Sequence, residues 1–124
     1  MTKRILIIED QEDNRTILRD LLSTAGYALI EAVDGLEGVK LARSERPDLI
    51  LMDIQLPGLD GYEATRQIKA TDELKSVPII AVTSYALSGD EAKARAAGCD
   101  GYVTKPFSPR QLLAKVREYM PAGD

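Results

Sequence analysis

Five times along the chain, a short apolar run gives way to a polar loop and then to apolar residues at helical spacing. The first run is Arg4-Ile5-Leu6-Ile7-Ile8; Ile17, Leu18, Leu21, Leu22 and Ala25 follow at helical spacing, and Gly26 supplies the stop. Unbroken runs of this kind suit strands covered on both faces. Residues 27–32 form a second short strand, and Asp34-Gly35-Leu36-Glu37 has the form of a capping box, opening a helix to about Ser44 before Pro47. Asp13 and Asn14 are placed to cap the first helix. The third strand is Leu49-Ile50-Leu51-Met52-Asp53, bounded by Pro47 and Pro57. Asp60-Gly61-Tyr62-Glu63 repeats the capping pattern and opens a helix to about Ala70. The apolar, β-branched residues 77–83 make a fourth strand that ends in Thr83. Ser88-Gly89-Asp90-Glu91 caps a fourth helix, which Gly98 ends. A short fifth strand, Gly101-Tyr102-Val103-Thr104, leads into Lys105-Pro106. Ser108-Pro109-Arg110-Gln111 opens the last helix with proline at its favoured first position; Leu112, Leu113, Val116 and Tyr119 mark its buried face.

Strand-helix alternation repeated five times predicts an α/β fold: a doubly wound, five-stranded parallel sheet with helices on both faces. The order 2-1-3-4-5 is a common solution for such a chain. Right-handed crossovers then place the carboxyl ends of all five strands on one rim. No composition break, linker or repeat interrupts residues 1–124, so a single domain with no separate output domain is expected.

Composition removes several classes of function. The net charge is −4, whereas duplex binding rests on a basic footprint, so direct nucleic-acid contact is not expected. The chain has no histidine and one cysteine, Cys99, which excludes the usual zinc sites, Ser-His or Cys-His catalysis and a phosphohistidine carrier. Cys99 reads as an incidental small residue. No apolar run is long enough to span a membrane and no signal peptide is recognised, so the expected location is the cytoplasm.

The chemistry gathers at the strand ends. Strand one ends in Glu9 and Asp10, strand three in Asp53, strand four in Thr83, and Lys105 follows strand five. Each alone has a plain reading: Glu9-Asp10 as a solvated turn, Thr83 as a strand end, Lys105 as a surface charge, Tyr102 as core. Together they change the picture, because strands one and three are neighbours in the proposed order and three carboxylates converge. Bare, they repel and raise one another's pKa. Mg²⁺ resolves the conflict, since it takes oxygen ligands and commonly binds one or two carboxylates plus a phosphate oxygen. A carboxylate is also a nucleophile able to form an aspartyl-phosphate, and Mg²⁺ with Lys105 neutralises charge on the transferred group.

The joint pattern resembles the receiver domain of two-component response regulators, the CheY-like superfamily, and most of all its small stand-alone members. Glu9-Asp10, Asp53, Asp60-Gly61, Thr83-Ser84 and Lys105-Pro106 carry the resemblance, which spans roughly Lys3 to Met120. The strand order 2-1-3-4-5, a flavodoxin-like arrangement, is also the family's own. The resemblance implies that Asp53 accepts a phosphoryl group from a phosphohistidine on a sensor histidine kinase or phosphotransfer protein. It implies Mg²⁺ held by the side chains of Asp10 and Asp53, by the backbone carbonyl of Gln55, and by Glu9 through water. Thr83 then hydrogen-bonds the phosphoryl group and Lys105 pairs with it. Tyr102 matches an aromatic switch position, Gln55 and Tyr85 flank the phosphoryl group and influence its lifetime, and Lys105-Pro106 falls where the family has a cis peptide. The implied function is a phosphorylation-dependent switch in a phosphorelay, not a turnover enzyme. It signals to a downstream protein through the fourth helix, fifth strand and fifth helix.

Other readings compete. A dinucleotide-binding domain wants a glycine-rich turn after strand one; Glu9-Asp10-Gln11-Glu12-Asp13 stands there and repels phosphate unless a metal intervenes. An FMN site fails on the same charge. A Mg²⁺-dependent phosphatase with an aspartyl nucleophile usually needs an acid close after the nucleophile, where this chain has Gln55; turnover of a phosphate ester distinguishes it. A receiver-fold scaffold that is never phosphorylated is distinguished by a phosphodonor.

Overall fold

Alternation within the strands sets the layering. The computed structural model describes residues 2–84 and 90–120. Its elements are β1 (Arg4–Ile8), α1 (Glu12–Thr24), β2 (Ala28–Ala32), α2 (Gly35–Glu45), β3 (Leu49–Asp53), α3 (Gly61–Lys69), β4 (Ile79–Thr83), α4 (Asp90–Ala97), β5 (Gly101–Thr104) and α5 (Pro109–Tyr119). The strands are parallel, in the order β2-β1-β3-β4-β5. Successive side chains point to opposite faces. Leu6, Ile8, Ile50 and Met52 therefore pack against Val39 and Ala42 of α2 and Ile68 of α3. Ile5, Ile7, Leu49 and Leu51 pack with Leu18 and Leu22 of α1 and Leu112 and Val116 of α5. All five residues of β3 are buried, as a central strand covered on both faces requires.

The helix boundaries follow the capping chemistry with some differences. Asp60 accepts from the Glu63 N–H and Ser108 forms a complete capping box with Gln111. At α2, Asp34 accepts from the Glu37 N–H, but the Glu37 carboxylate reaches the Val33 N–H instead of Asp34. α1 starts at Glu12, with Gln11 at the N-cap and no side-chain cap. Asp13 and Asn14 thus lie inside the first turn, where the Asp13 carboxylate interacts favourably with the positive end of the helix dipole. Ser88 and Gly89, read as the cap of α4, lie outside the described residues. A single 3-10 turn at Asp72–Leu74, which seats Leu74 in the core, had no counterpart in the hydrophobic pattern.

The helices are not held equally. A fully buried leucine or isoleucine contributes about 1.5–3 kcal/mol of burial energy. α1, α2, α3 and α5 each bury at least one leucine, isoleucine or valine; α4 buries only Ala94 and Ala97. It is the most weakly anchored of the five. Among the described residues, no helix is long and apolar enough to cross a membrane.

One glycine fixes how α3 meets the end of β3. A Cβ at Gly61 would lie 2.4 Å from the Asp53 carbonyl oxygen and 2.6 Å from Ile54 Cα. Both are backbone atoms and cannot swing aside. Gly58 has a positive φ of 71° but open space around it. Gly61→Ala is expected to destabilise the protein by about 2–4 kcal/mol, against about 1 kcal/mol for Gly58→Ala, as read from urea midpoints. Equal midpoints for the two variants would contradict this packing.

Candidate functional site

Parallel pairing brings the strand ends to one rim in register. Ile8 pairs with Met52, and Asp53 with Val82. Glu9, one residue past β1, therefore stands beside Asp53, the last residue of β3. Thr83 closes β4 and pairs with Thr104, so Lys105 emerges next to it; the Lys105 N–H donates to the Thr83 carbonyl at 2.7 Å.

Side chains complete the site. Glu9 and Asp53 are 2% and 4% exposed, so both are carboxylates inside the protein. Lys105 Nζ lies 3.0 Å from Glu9 Oε1 and 3.5 Å from Asp53 Oδ2. Backbone donors hold the other oxygens: Gln11 N–H to Glu9 Oε2 and Gln55 N–H to Asp53 Oδ1, each at 3.0 Å. Asp10 is partly exposed and its Oδ2 accepts from Gln11 Nε2 at 3.3 Å. Carboxylate oxygens of Glu9, Asp10 and Asp53 all lie within 4.8 Å of one another. Thr83 is buried at 1% exposure, and Tyr102 is half-buried against the core face shared with α2, α3 and α4. The Lys105–Pro106 peptide bond is cis. Tyr85 lies outside the described residues.

The electrostatics follow from one lysine serving two buried acids. Burial works against the Glu9 carboxylate, but the Gln11 N–H and the closer contact to Lys105 outweigh it and hold its pKa below the ordinary value. Asp53 is the loser. Burial, reinforced by the charge of Glu9, pushes its pKa up to about 7, against the pull of Lys105 and the Gln55 N–H. Three hard oxygen donors in one cluster, one of them unfavourably ionised, fit a divalent cation such as Mg²⁺. Cys99 takes no part: it is buried beside Thr65, 3.7 Å from its hydroxyl.

Several features escaped the sequence. The Glu9–Lys105 pair has no local signal in the sequence, which points both residues toward a metal or a phosphoryl group. The Gln55 side chain bridges to Ser84, accepting from its N–H at 3.0 Å and its hydroxyl at 2.8 Å. Ile17, one of the apolar residues at helical spacing in α1, is 56% exposed. It lines a groove of about 340 Å³ that runs from Glu9 and Lys105 to Leu18, Pro106 and Phe107. An isoleucine at helical spacing carries no local sign that it lines a groove.

The family pattern of the response regulator receiver domain matches residues 5–117. The chain belongs to that family. This receiver domain is 46% identical over 120 residues to the polar-differentiation response regulator DivK of Brucella anthropi, covering 97% of this chain and 98% of the relative. DivK of Brucella ovis is 45% identical over the same share of each chain. Among solved structures, the receiver domain of the sensor histidine kinase PA1611 from Pseudomonas aeruginosa PAO1 is 39% identical. It superposes with a TM-score of 0.89 over 96% of this receiver and 98% of its own chain, and it has a magnesium ion coordinated in its active-site cleft. The chemotaxis response regulator CheY4 of Vibrio cholerae is 27% identical, with a TM-score of 0.92 over 97% of this receiver and 100% of its own chain.

The raised pKa of Asp53 has a thermodynamic sign. Its ordinary value is 3.8 and its folded value about 7, so between these the folded state binds the extra proton. Stability from this group is fully present below its unfolded pKa and is lost as pH rises through the folded value. In chelator, the Asp53 contribution to the melting temperature should fall from about pH 4 to about pH 7 and level off above that. Asp53→Asn should flatten that fall and gain about 1–3 kcal/mol at the alkaline end. A wild-type protein that melts higher at the alkaline end, or an Asp53→Asn variant with the same slope, would contradict the assignment.

Proposed function

We propose that this chain is a phosphorylation switch of a two-component phosphorelay, with Asp53 as the phosphoryl acceptor. One observation carries the reading: Asp53 is a buried carboxylate at a strand end, with two further carboxylates within 4.8 Å and one lysine facing it. Such a group is costly as a structural residue and useful as a nucleophile. The match to the receiver family and the likeness to DivK support it.

An ionised oxygen of Asp53 attacks the phosphorus of a phosphohistidine on a partner kinase or phosphotransfer protein. The O–P bond forms as the N–P bond breaks; the imidazole nitrogen keeps the electron pair and takes a proton. Asp10 and Asp53 would hold Mg²⁺ by their side chains, Gln55 by its carbonyl and Glu9 through water. When bound, Mg²⁺ supplies positive charge to the oxygens of the transferring group. The same charge favours ionised Asp53. Lys105 moves from pairing with Glu9 and Asp53 to pairing with the phosphoryl oxygens, and the Thr83 hydroxyl donates to one of them. Gln55 is an amide with its oxygen committed to Ser84, so no general acid stands there to make the site a turnover phosphatase.

The signal leaves through α4, β5 and α5. The movement of Thr83 toward Asp53 vacates space that Tyr102, on the neighbouring strand, fills by a rotamer change. α4, which buries no side chain larger than alanine, is the helix with least packing to oppose a shift. The receiver is cytoplasmic and hands the signal to a downstream protein.

The test is incubation with a small acyl phosphodonor and Mg²⁺, followed by mapping of the modification. Label should appear on Asp53 alone and vanish in Asp53→Asn. Hydrogen-exchange changes on labelling should centre on Thr83, on α4 and on the stretch from Tyr102 to Lys105. Label persisting in Asp53→Asn on the same timescale would overturn the acceptor. Exchange changes confined to α2 would overturn the output face.

A further inference from the structure

The ladder between β3 and β4 does not stop where its backbone bonds stop. The Ile54 N–H donates to the Val82 carbonyl at 3.1 Å. Beyond that bond, the Gln55 side chain replaces a backbone partner: its Oε1 accepts from the Ser84 N–H at 3.0 Å and from the Ser84 hydroxyl at 2.8 Å. A backbone N–H can only donate, which fixes the Gln55 amide with its oxygen toward Ser84. Gln55 is anchored at its own N–H, 3.0 Å from Asp53 Oδ1. A continuous chain of hydrogen bonds thus runs from the Asp53 carboxylate through Gln55 to Ser84, the residue that follows Thr83.

We infer that the Gln55 side chain is a latch: it positions Ser84, and with it Thr83, in the resting conformation. The inference rests on the proposed movement of Thr83 only for its consequence, not for its existence. Thr83 and Ser84 share a peptide unit, so a shift of Thr83 toward Asp53 displaces the Ser84 N–H from Oε1. The latch therefore weights the balance toward rest. A ligand or a covalent group shifts such a balance only by its differential contacts with the two states, and these bonds are contacts of the resting state. Gln55 is a positioning residue in this account; its side chain need not touch the phosphoryl group to affect the rate at which Asp53 takes one up. Ser84 is exposed, so water competes for both bonds and their joint weight is modest, about fivefold in the equilibrium.

Three variants of the full chain test this: Gln55→Met, which keeps length and loses the acceptor; Ser84→Ala, which loses one of the two bonds; and Gln55→Glu, which keeps an acceptor oxygen. In the unphosphorylated protein, without donor, protection of the Ser84 amide from hydrogen exchange should fall about fivefold in Gln55→Met. It should hold in Gln55→Glu. The Thr83 and Ser84 resonances of Gln55→Met should move part of the way toward their phosphorylated positions, and those of Ser84→Ala less far along the same line. Labelling of Gln55→Met by acetyl phosphate with Mg²⁺ should be about fivefold faster. Ser84 protection equal to wild type in Gln55→Met overturns the latch, as do resonances that stay at rest. If protection falls as expected while wild type takes no label, the latch is supported and the phosphoryl-acceptor reading fails.

Discussion

Two buried carboxylates facing one lysine set the terms for the whole rim. Glu9 and Asp53 are brought side by side by the pairing of β1 with β3, and the end of β5 supplies Lys105 across from them. The lysine favours Glu9, at 3.0 Å against 3.5 Å, and the Gln11 N–H reinforces that choice. Asp53 is left as an acid whose ionisation is opposed by its surroundings. A hydrophobic core would tolerate a neutral residue there more readily. The arrangement fits a site for a divalent cation and the acceptor role proposed for Asp53.

The fold supplies that arrangement at little cost to itself. Five parallel strands leave their carboxyl ends on one edge, and the two cores lie below it on either side of the sheet. Gly61 lets α3 pack directly against the end of β3, so the backbone around Asp53 is fixed from behind. On the far side, α4 buries no side chain larger than alanine. Rigid support under Asp53 and a loosely held helix beside it are the two conditions under which the proposed change of charge at Asp53 becomes a change of surface.

Much of this was legible in the chain because the strands are apolar throughout and their neighbours are capped by recognisable residues. The five strands, the five helices and the gathering of the strand ends at one rim follow from alternation; the order that sets Glu9 and Asp10 beside Asp53 was one common solution, and also the one the family resemblance implied. The family resemblance then supplied roles that geometry alone does not. What could not be read depends on side-chain competition. Nothing local in the sequence says that Lys105 sits closer to Glu9 than to Asp53, that Glu37 bonds Val33 instead of Asp34, or that Ser84 takes up the Gln55 oxygen. Ile17 shows the same limit from the apolar side. Its spacing marks the α1 core face, and only the packing of Pro106 and Phe107 leaves it open.

The central claim is that repulsion at the acid cluster is a real burden on the resting fold, relieved by a divalent cation. The most direct measurement is the melting temperature at mildly alkaline pH with chelator and with millimolar Mg²⁺. Binding to the native state alone stabilises by mass action, and each kcal/mol is worth roughly 4 °C in a domain near this size. The account predicts a rise of several degrees in the wild type and a much smaller one in Asp10→Ala. Coincident melts with and without Mg²⁺ in the wild type would contradict it.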